Sequence, residues 1–281
     1  GGEIALQTMD SRSIGLNSGE TNLLAWPAIS VSSKLLSSLT LECNLPPQAR
    51  LLKISTDATK LIAYPEYKVI KYKEDLEAHL CIPGSDTIYP AVIFNHGGVG
   101  GTIGGDPQGI CLALSERGYI GFSPIRSTSN DLEDLLTDVS DAMDYILNLN
   151  IVQKNMLGIM GFSRGGMLTY TIATERTDYR ALVLMAPAPP QRGSEDSYYA
   201  AAESIVSPTL LLVSENDTPE YNREGQDHVL LSKTLKDALI DNEKDATLII
   251  FDAFGDNGHE LFYEIRDDYW NHVLDFLDGN L

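Results

Sequence analysis

The sequence predicts an α/β fold, a mostly parallel sheet covered by helices on both faces and carrying only a small lid. Two observations carry that expectation. From Tyr67 onward, short apolar runs bounded by turn-prone residues alternate with stretches of helical periodicity, as parallel strands buried on both faces should. Polar or glycine-rich loops able to hold chemistry follow the C-terminal ends of several of those runs.

Residues 1–63 read differently and are expected to form an N-terminal extension on a catalytic domain of residues 64–281. Gly1 to Asn22 is polar, Leu23–Pro27 is apolar, and Val31 to Glu42 has the spacing of a short amphipathic helix. The extension is expected to pack on that domain, with a dimer arm or part of the pocket wall as equal alternatives. Tyr67–Tyr72 and Leu76–Ile82, joined by Lys73-Glu74-Asp75, read as an antiparallel hairpin at the sheet edge. The buried runs that follow are Ala91–Phe94, Tyr119–Phe122, Met156–Met160, Ala181–Met185, Thr209–Val213 and Ala246–Phe251. Helical patterns separate them over 108–117, over 130–149 and after Ser163, and a last helix ends the chain. In 130–149, Leu132, Leu135, Leu136, Val139, Met143, Ile146 and Leu147 make one apolar stripe. Asp131, Glu133, Asp134, Asp138, Asp141 and Asp144 read as a solvated face rather than a metal site. Only about twenty residues separate Met185 from Thr209, so any lid inserted there is small. Ser197–Glu203 reads as a short helix over the pocket. Tyr198 and Tyr199 on it are candidates for touching substrate, with packing of the lid onto the sheet as the alternative.

The most informative stretch is Gly161-Phe162-Ser163-Arg164-Gly165-Gly166. A strand that reverses into a helix within one or two residues crowds its backbone at the corner, and flanking glycines remove the Cβ atoms that would clash. Ser163 is thereby set at the top of the sheet beside the free N–H groups of a helix, as a nucleophile would be. A hydroxyl needs a histidine to take its proton and an acid to orient that histidine. The apolar run ending at Val213 leads into Ser214-Glu215-Asn216-Asp217, and the run ending at Phe251 leads into the loop that carries Gly258-His259-Glu260. Serine, acid and histidine thus follow strands in that order, at one edge of the sheet. Asp217 is preferred to Glu215 because its place past the strand lets the side chain turn back toward the histidine loop. His259 is preferred to the other four histidines. His79 is expected to face solvent from a strand, and His228 and His272 to be surface or packing residues on helices.

The run Pro90–Phe94 ends in Asn95-His96-Gly97-Gly98-Val99-Gly100-Gly101. A tetrahedral intermediate needs two N–H donors aimed at its new negative charge. Arg164 N–H would supply one, and Gly98, with Val99, the other. His96 is then expected to hold this loop by hydrogen bonds rather than exchange protons. A phosphate cradle over Gly97 to Gly105 is disfavoured because no Lys-Ser/Thr follows the loop and no G-x-G-x-x-G is present.

On these residues the chain resembles the α/β-hydrolase superfamily, and within it the dienelactone-hydrolase-like branch. The likeness runs from about Tyr64 to Leu281 and rests on His96-Gly97-Gly98, the Ser163 elbow, Glu215-Asn216-Asp217, Gly258-His259-Glu260 and the Ser123-Pro124-Ile125-Arg126 turn. Dienelactone hydrolases proper use cysteine where this chain has Ser163. The resemblance therefore implies an ester hydrolase more than it implies dienelactone as substrate; the leading expectation is a cofactor-independent serine ester hydrolase, and the small lid suggests short-chain or compact esters. The same branch shades into prolyl-oligopeptidase peptidases, which carry a large gate that the short N-terminal segment cannot supply. A peptidase or amidase is the alternative expectation, and a non-catalytic binding protein on the same scaffold is a more distant one.

Composition sets outer bounds. Forty Asp and Glu against twenty Lys and Arg give a net charge of −20, which disfavours nucleic acid and anionic membranes as partners. No apolar run reaches the roughly 18 residues that span a bilayer. The chain begins Gly1-Gly2 with no basic, apolar leader, from which a processed chain is expected. Cys43, Cys81 and Cys111 lack C-x-x-C spacing, which argues against a zinc site and a disulfide framework. One bridge and one free thiol stay open, with packing as the default role for Cys81 and Cys111.

Overall fold

The computed structural model describes residues 65–84, 88–190, 193–223 and 225–281, together with the backbone of two short N-terminal strands. The chain divides into two compact units, Gly1–Tyr64 and Pro65–Leu281. In the first, β1 (Ile4–Gln7) and β2 (Ser13–Leu16) pair antiparallel. The helical stretch expected over Val31–Glu42, and Cys43, lie outside the described residues.

The second unit is built on an eight-stranded sheet. Its strands are β3 (Glu66–Lys71), β4 (Glu77–Ile82), β5 (Tyr89–Asn95), β6 (Ile120–Pro124), β7 (Val152–Phe162), β8 (Ala181–Met185), β9 (Thr209–Ser214) and β10 (Ala246–Phe251). They lie in the order β10-β9-β8-β7-β5-β6-β4-β3. All pairs from β10 to β6 are parallel, and β4 and β3 close the edge as the expected antiparallel hairpin. From β5 the chain crosses to β6 on one side and to β7 on the other, so a crevice opens outside the C-terminal ends of the central strands.

The helices are α1 (Pro107–Arg117), α2 (Leu132–Asn148), α3 (Arg164–Glu175), α4 (Glu195–Ala200), α5 (His228–Asp241) and α6 (Asp267–Asn280). Side chains on a strand alternate between faces, and β5 shows the result. Ile93 joins the core that holds buried residues of α2, α3 and α5, whereas Val92 and Phe94 join the core that holds those of α1 and α6. Side-chain caps start three of these helices where the sequence offers an aspartate. Asp106, Asp131 and Asp227 accept from Gly109 N, Glu133 N and Leu230 N, each at 2.8 Å.

Two expectations are corrected here. Asp138 does not lie on a solvated face. It is 3 % exposed, because α2 turns it toward the hairpin, where Lys73 Nζ (3.0 Å) and Ser127 N (3.0 Å) hold its two oxygens. Cys81 and Cys111 do more than pack, since β4 and α1 bring their Cα atoms to 5.6 Å and a disulfide joins them. Among the described residues no helix is long and apolar enough to cross a membrane.

Candidate active site

The site is assembled at the C-terminal ends of β5, β7, β9 and β10. At the end of β7, Ser163 takes φ 53° and ψ −120°, a conformation that costs a residue with a side chain on the order of 1–3 kcal/mol. The corner is held from both sides: Ser163 N donates to Met185 O at 2.9 Å, and Ser163 O accepts from Ala188 N at 2.9 Å. The two elbow glycines are steric requirements. A Cβ on Gly165 would lie 2.0 Å from Asn95 O, and one on Gly161 would lie 2.4 Å from Gly165 O. Behind the corner, buried Asn95 Nδ2 donates to Thr169 Oγ1 (2.9 Å), whose hydroxyl donates to Gly165 O (2.7 Å), so β5 and α3 are tied by side chains.

The structure brings Asp217 and His259 together. His259 Nδ1 lies 2.7 Å from Asp217 Oδ2, and both side chains are buried. Asn222 Nδ2 donates to the other oxygen, Asp217 Oδ1, at 2.8 Å. Asp217 therefore has both oxygens occupied by donors, as a buried carboxylate must. Glu215 is exposed and accepts from Ala253 N at 3.2 Å, away from the histidine. The acid loop and the histidine loop are stitched by Asn216, whose Oδ1 accepts from Phe254 N (2.9 Å) and whose Nδ2 donates to Gly255 O (3.1 Å). His259 stands in a 3₁₀ turn, Gly258–Phe262, capped by Asn257 Oδ1 on His259 N at 3.1 Å. Among the described residues the Ser163 hydroxyl makes no hydrogen bond, so the acid–histidine link is formed and the histidine–serine link is not.

The glycine loop after β5 folds back on itself, with Gly97 N donating to Gly104 O (2.8 Å) and Gly104 N to Gly97 O (3.0 Å). Gly98 has φ +87°, and a Cβ there would meet Thr102 O at 2.2 Å. His96 holds this loop as the sequence suggests. Its Nδ1–H donates to Gly97 O (2.6 Å), its Nε2 faces Arg126 N at 3.4 Å, and its carbonyl accepts from Arg126 Nη1 (2.7 Å). Burial, and then the Arg126 charge, push the His96 pKa down to about 3, so it stays neutral. Gly98, Val99 and Arg164 line one small pocket, together with Arg126.

The other histidines fall differently. His79 is half-buried rather than solvent-facing, with Nδ1 2.9 Å from the Tyr67 hydroxyl, and burial lowers its pKa. His272 is exposed on α6. His228 is fully buried at the start of α5, its ring centroid 4.3 Å from that of His259 and its Nδ1 3.1 Å from Pro187 O. Sequence reasoning allowed it a packing role but missed the neighbour, because nothing in a helical pattern reveals that the helix starts beside the histidine loop. Asp217, His228 and His259 are also the one group among the described residues with ligand atoms close enough to share a metal ion, all within 4.8 Å of one another. Tyr198 packs against α3, its ring 4.6 Å from that of Tyr170, and lies 5.4 Å from the ring of Tyr199. The Tyr198 carbonyl accepts from the Tyr170 hydroxyl at 3.1 Å.

Comparison with known proteins agrees with this architecture. Residues 130–190, from the approach to α2 through the Ser163 corner and β8, match the prolyl oligopeptidase family model. No curated protein matches the sequence. Among solved structures, dienelactone hydrolase from Anabaena variabilis superposes with a TM-score of 0.59 at 17% identity, over 78% of this chain and 99% of that one. Esterase B from Lactobacillus rhamnosis gives 0.60 at 15% identity, over 78% and 86%. Pyrococcus horikoshii acylaminoacyl peptidase gives 0.61 at 15% identity, over 77% of this chain but 41% of that one, so this chain spans about two-fifths of the peptidase. With the sheet order, the strand-end site and these superpositions, the chain has the α/β-hydrolase fold, in the form shared by dienelactone hydrolases, an esterase and an acylaminoacyl peptidase.

Proposed function

We propose that the protein is a serine hydrolase that cleaves carboxylic esters of short-chain or compact acids through an acyl-enzyme. The observation that carries this reading is the 2.7 Å hydrogen bond between buried Asp217 and His259, at the same sheet edge as Ser163 on its strained corner. With Nδ1–H bonded to the carboxylate, His259 presents Nε2 as the base. Nε2 takes the Ser163 proton as Oγ attacks the ester carbonyl, and the N–H groups of Arg164 and Gly98, with Val99, receive the oxyanion. The tetrahedral intermediate collapses, the C–O bond to the alcohol breaks, and His259 returns the proton to the departing oxygen. Water then repeats the sequence and releases the acid. The reaction needs no cofactor.

The short connection between β8 and β9, whose described residues form α4 and one 3₁₀ turn, supports a compact substrate. The match of residues 130–190 to the prolyl oligopeptidase family favours a second reading, cleavage of amide or peptide bonds by the same groups. Initial rates on p-nitrophenyl esters from acetate to palmitate, beside peptidyl p-nitroanilides and with Ser163→Ala as the blank, separate the two. Rates highest at acetate or butyrate and absent in the variant are expected. Anilides turned over faster than esters would transfer the assignment to a peptidase, and unchanged rates in Ser163→Ala would overturn both.

A further inference from the structure

His228 is a polar side chain where packing alone calls for an apolar one. The buried residues of α5 are His228, Ser232, Leu235 and Leu239, spaced as one helix face, and His228 heads that face fully buried. Burying an imidazole is unfavourable unless its polar atoms are bonded. Its Nδ1 faces Pro187 O at 3.1 Å, and because a carbonyl only accepts, Nδ1 carries the proton and donates. Its backbone N–H donates to Asp217 O at 3.0 Å, so the chain that leaves the acid returns to it at His228. Its ring centroid lies 4.3 Å from that of His259, with 30° between the planes.

Each contact ends on a different part of the proposed triad. Asp217 is the acid and His259 the base. Pro187 belongs to the segment that clamps the nucleophile, in which Met185 O accepts from Ser163 N and Ala188 N donates to Ser163 O, both at 2.9 Å. That segment is itself fixed. Ala186 takes φ 40°, a strained value for a residue with a side chain, and its N–H donates to Leu212 O at 2.8 Å. Pro187 also lies against the start of α3, where a Cβ on Gly166 would come within 3.0 Å of Pro187 Cα. Phe162 makes a second ring contact with His259, at 4.8 Å and 35°. Offset rings keep their contact when one slides over the other and lose it when one tips away. His259 therefore has room to slide toward Ser163 but not to tip off Asp217. We infer that His228 is a positioning residue for the reaction: tied to the Ser163 clamp and to the acid, its ring holds His259 in the plane from which Nε2 meets the Ser163 hydroxyl. It acts through His259 and handles no proton itself. This rests on the hydrolase reading above.

The test measures kcat and KM on p-nitrophenyl butyrate for wild type, His228→Ala, His228→Asn and His228→Phe, each shown to be folded by circular dichroism at the assay temperature. Asparagine keeps a donor for Pro187 O and loses the ring; phenylalanine keeps the ring and loses the donor. His228→Ala should lower kcat by roughly 10- to 100-fold, as a catalytic group misplaced by about 1 Å does, with KM within about threefold. His228→Asn and His228→Phe should each recover part of that loss. An unchanged kcat in His228→Ala, a loss carried by KM alone, or a loss that neither conservative variant lessens overturns the positioning role while leaving the hydrolase intact. Proton NMR of Ser163→Ala protein reads the same role without turnover, through the downfield resonance of His259 Nδ1–H, assigned by its absence from Ser163→Ala/Asp217→Asn. It should move or broaden in Ser163→Ala/His228→Ala and be restored in Ser163→Ala/His228→Phe. That pattern, with no ester cleaved by wild type, would keep the positioning role and sink the hydrolase; an unmoved resonance with no turnover would sink both.

Discussion

The loop after β5 and the loop after β10 each bury a histidine within hydrogen-bonding distance of an oxygen, yet the two are set up for opposite tasks. His96 gives its Nδ1–H to the carbonyl of Gly97 and stands beside the Arg126 cation, so taking a second proton is penalised. His259 gives its Nδ1–H to the Asp217 carboxylate, which can stabilise an imidazolium. Burial is nearly the same, 3 % and 2 % exposed. What separates the strut from the proposed base is the partner at Nδ1.

The largest test of that contrast is His259→Ala, which should lower kcat/KM by roughly 10⁴-fold or more while the fold is kept, as should Ser163→Ala. Asp217→Asn should cost about 10⁴-fold in kcat, because an amide favours the wrong tautomer, whereas exposed Glu215→Gln should stay within about twofold. Equal losses at the two acids would break the assignment of Asp217. His96→Asn should instead act on stability, by about 1–3 kcal/mol in urea denaturation, through the Gly97 and Arg126 contacts it weakens. A loss of kcat as deep as that of His259→Ala, in protein shown to be folded, would erase the distinction between the loops.

The smallest effect is on pH dependence. His96 is neutral in the fold down to about pH 3, while an unfolded histidine protonates near 6.5. Below 6.5 the unfolded chain therefore binds the extra proton, so stability is full above that pH and is lost as pH falls toward 3. The difference in stability between wild type and His96→Asn should shrink with a slope approaching about 1.4 kcal/mol per pH unit between pH 6 and 4. A difference independent of pH would mean that His96 is charged in the fold.

Much of this site was legible in the sequence because it depends on local rules. A strand-to-helix corner needs small residues beside Ser163, and the 2.0 Å approach of a Cβ on Gly165 to Asn95 O shows why glycine stands there. Asp217 and His259 could be chosen because parallel strands deliver their following loops to one edge. What stayed hidden depends on which elements meet. Asn216, Asn222 and Asn257 look like ordinary turn formers until two loops are placed side by side. Asp138 follows the acidic rhythm of α2 and is buried only because the Lys73 turn lies against it. The adjacency of Arg126 and Arg164 needs the end of β6 and the start of α3 at one pocket.

The bond between Cys81 and Cys111 makes one covalent ring of 30 residues' span, and that ring contains all of β5 and the whole glycine loop through Gly105. In the chain-entropy picture, closing a ring of this size removes about 3–4 kcal/mol of freedom from the unfolded chain. The loop proposed to receive the oxyanion thus lies inside one covalent ring. Thiol reductants should act on the proposed donor loop before they act on the proposed acid and base, whose loops lie outside the ring.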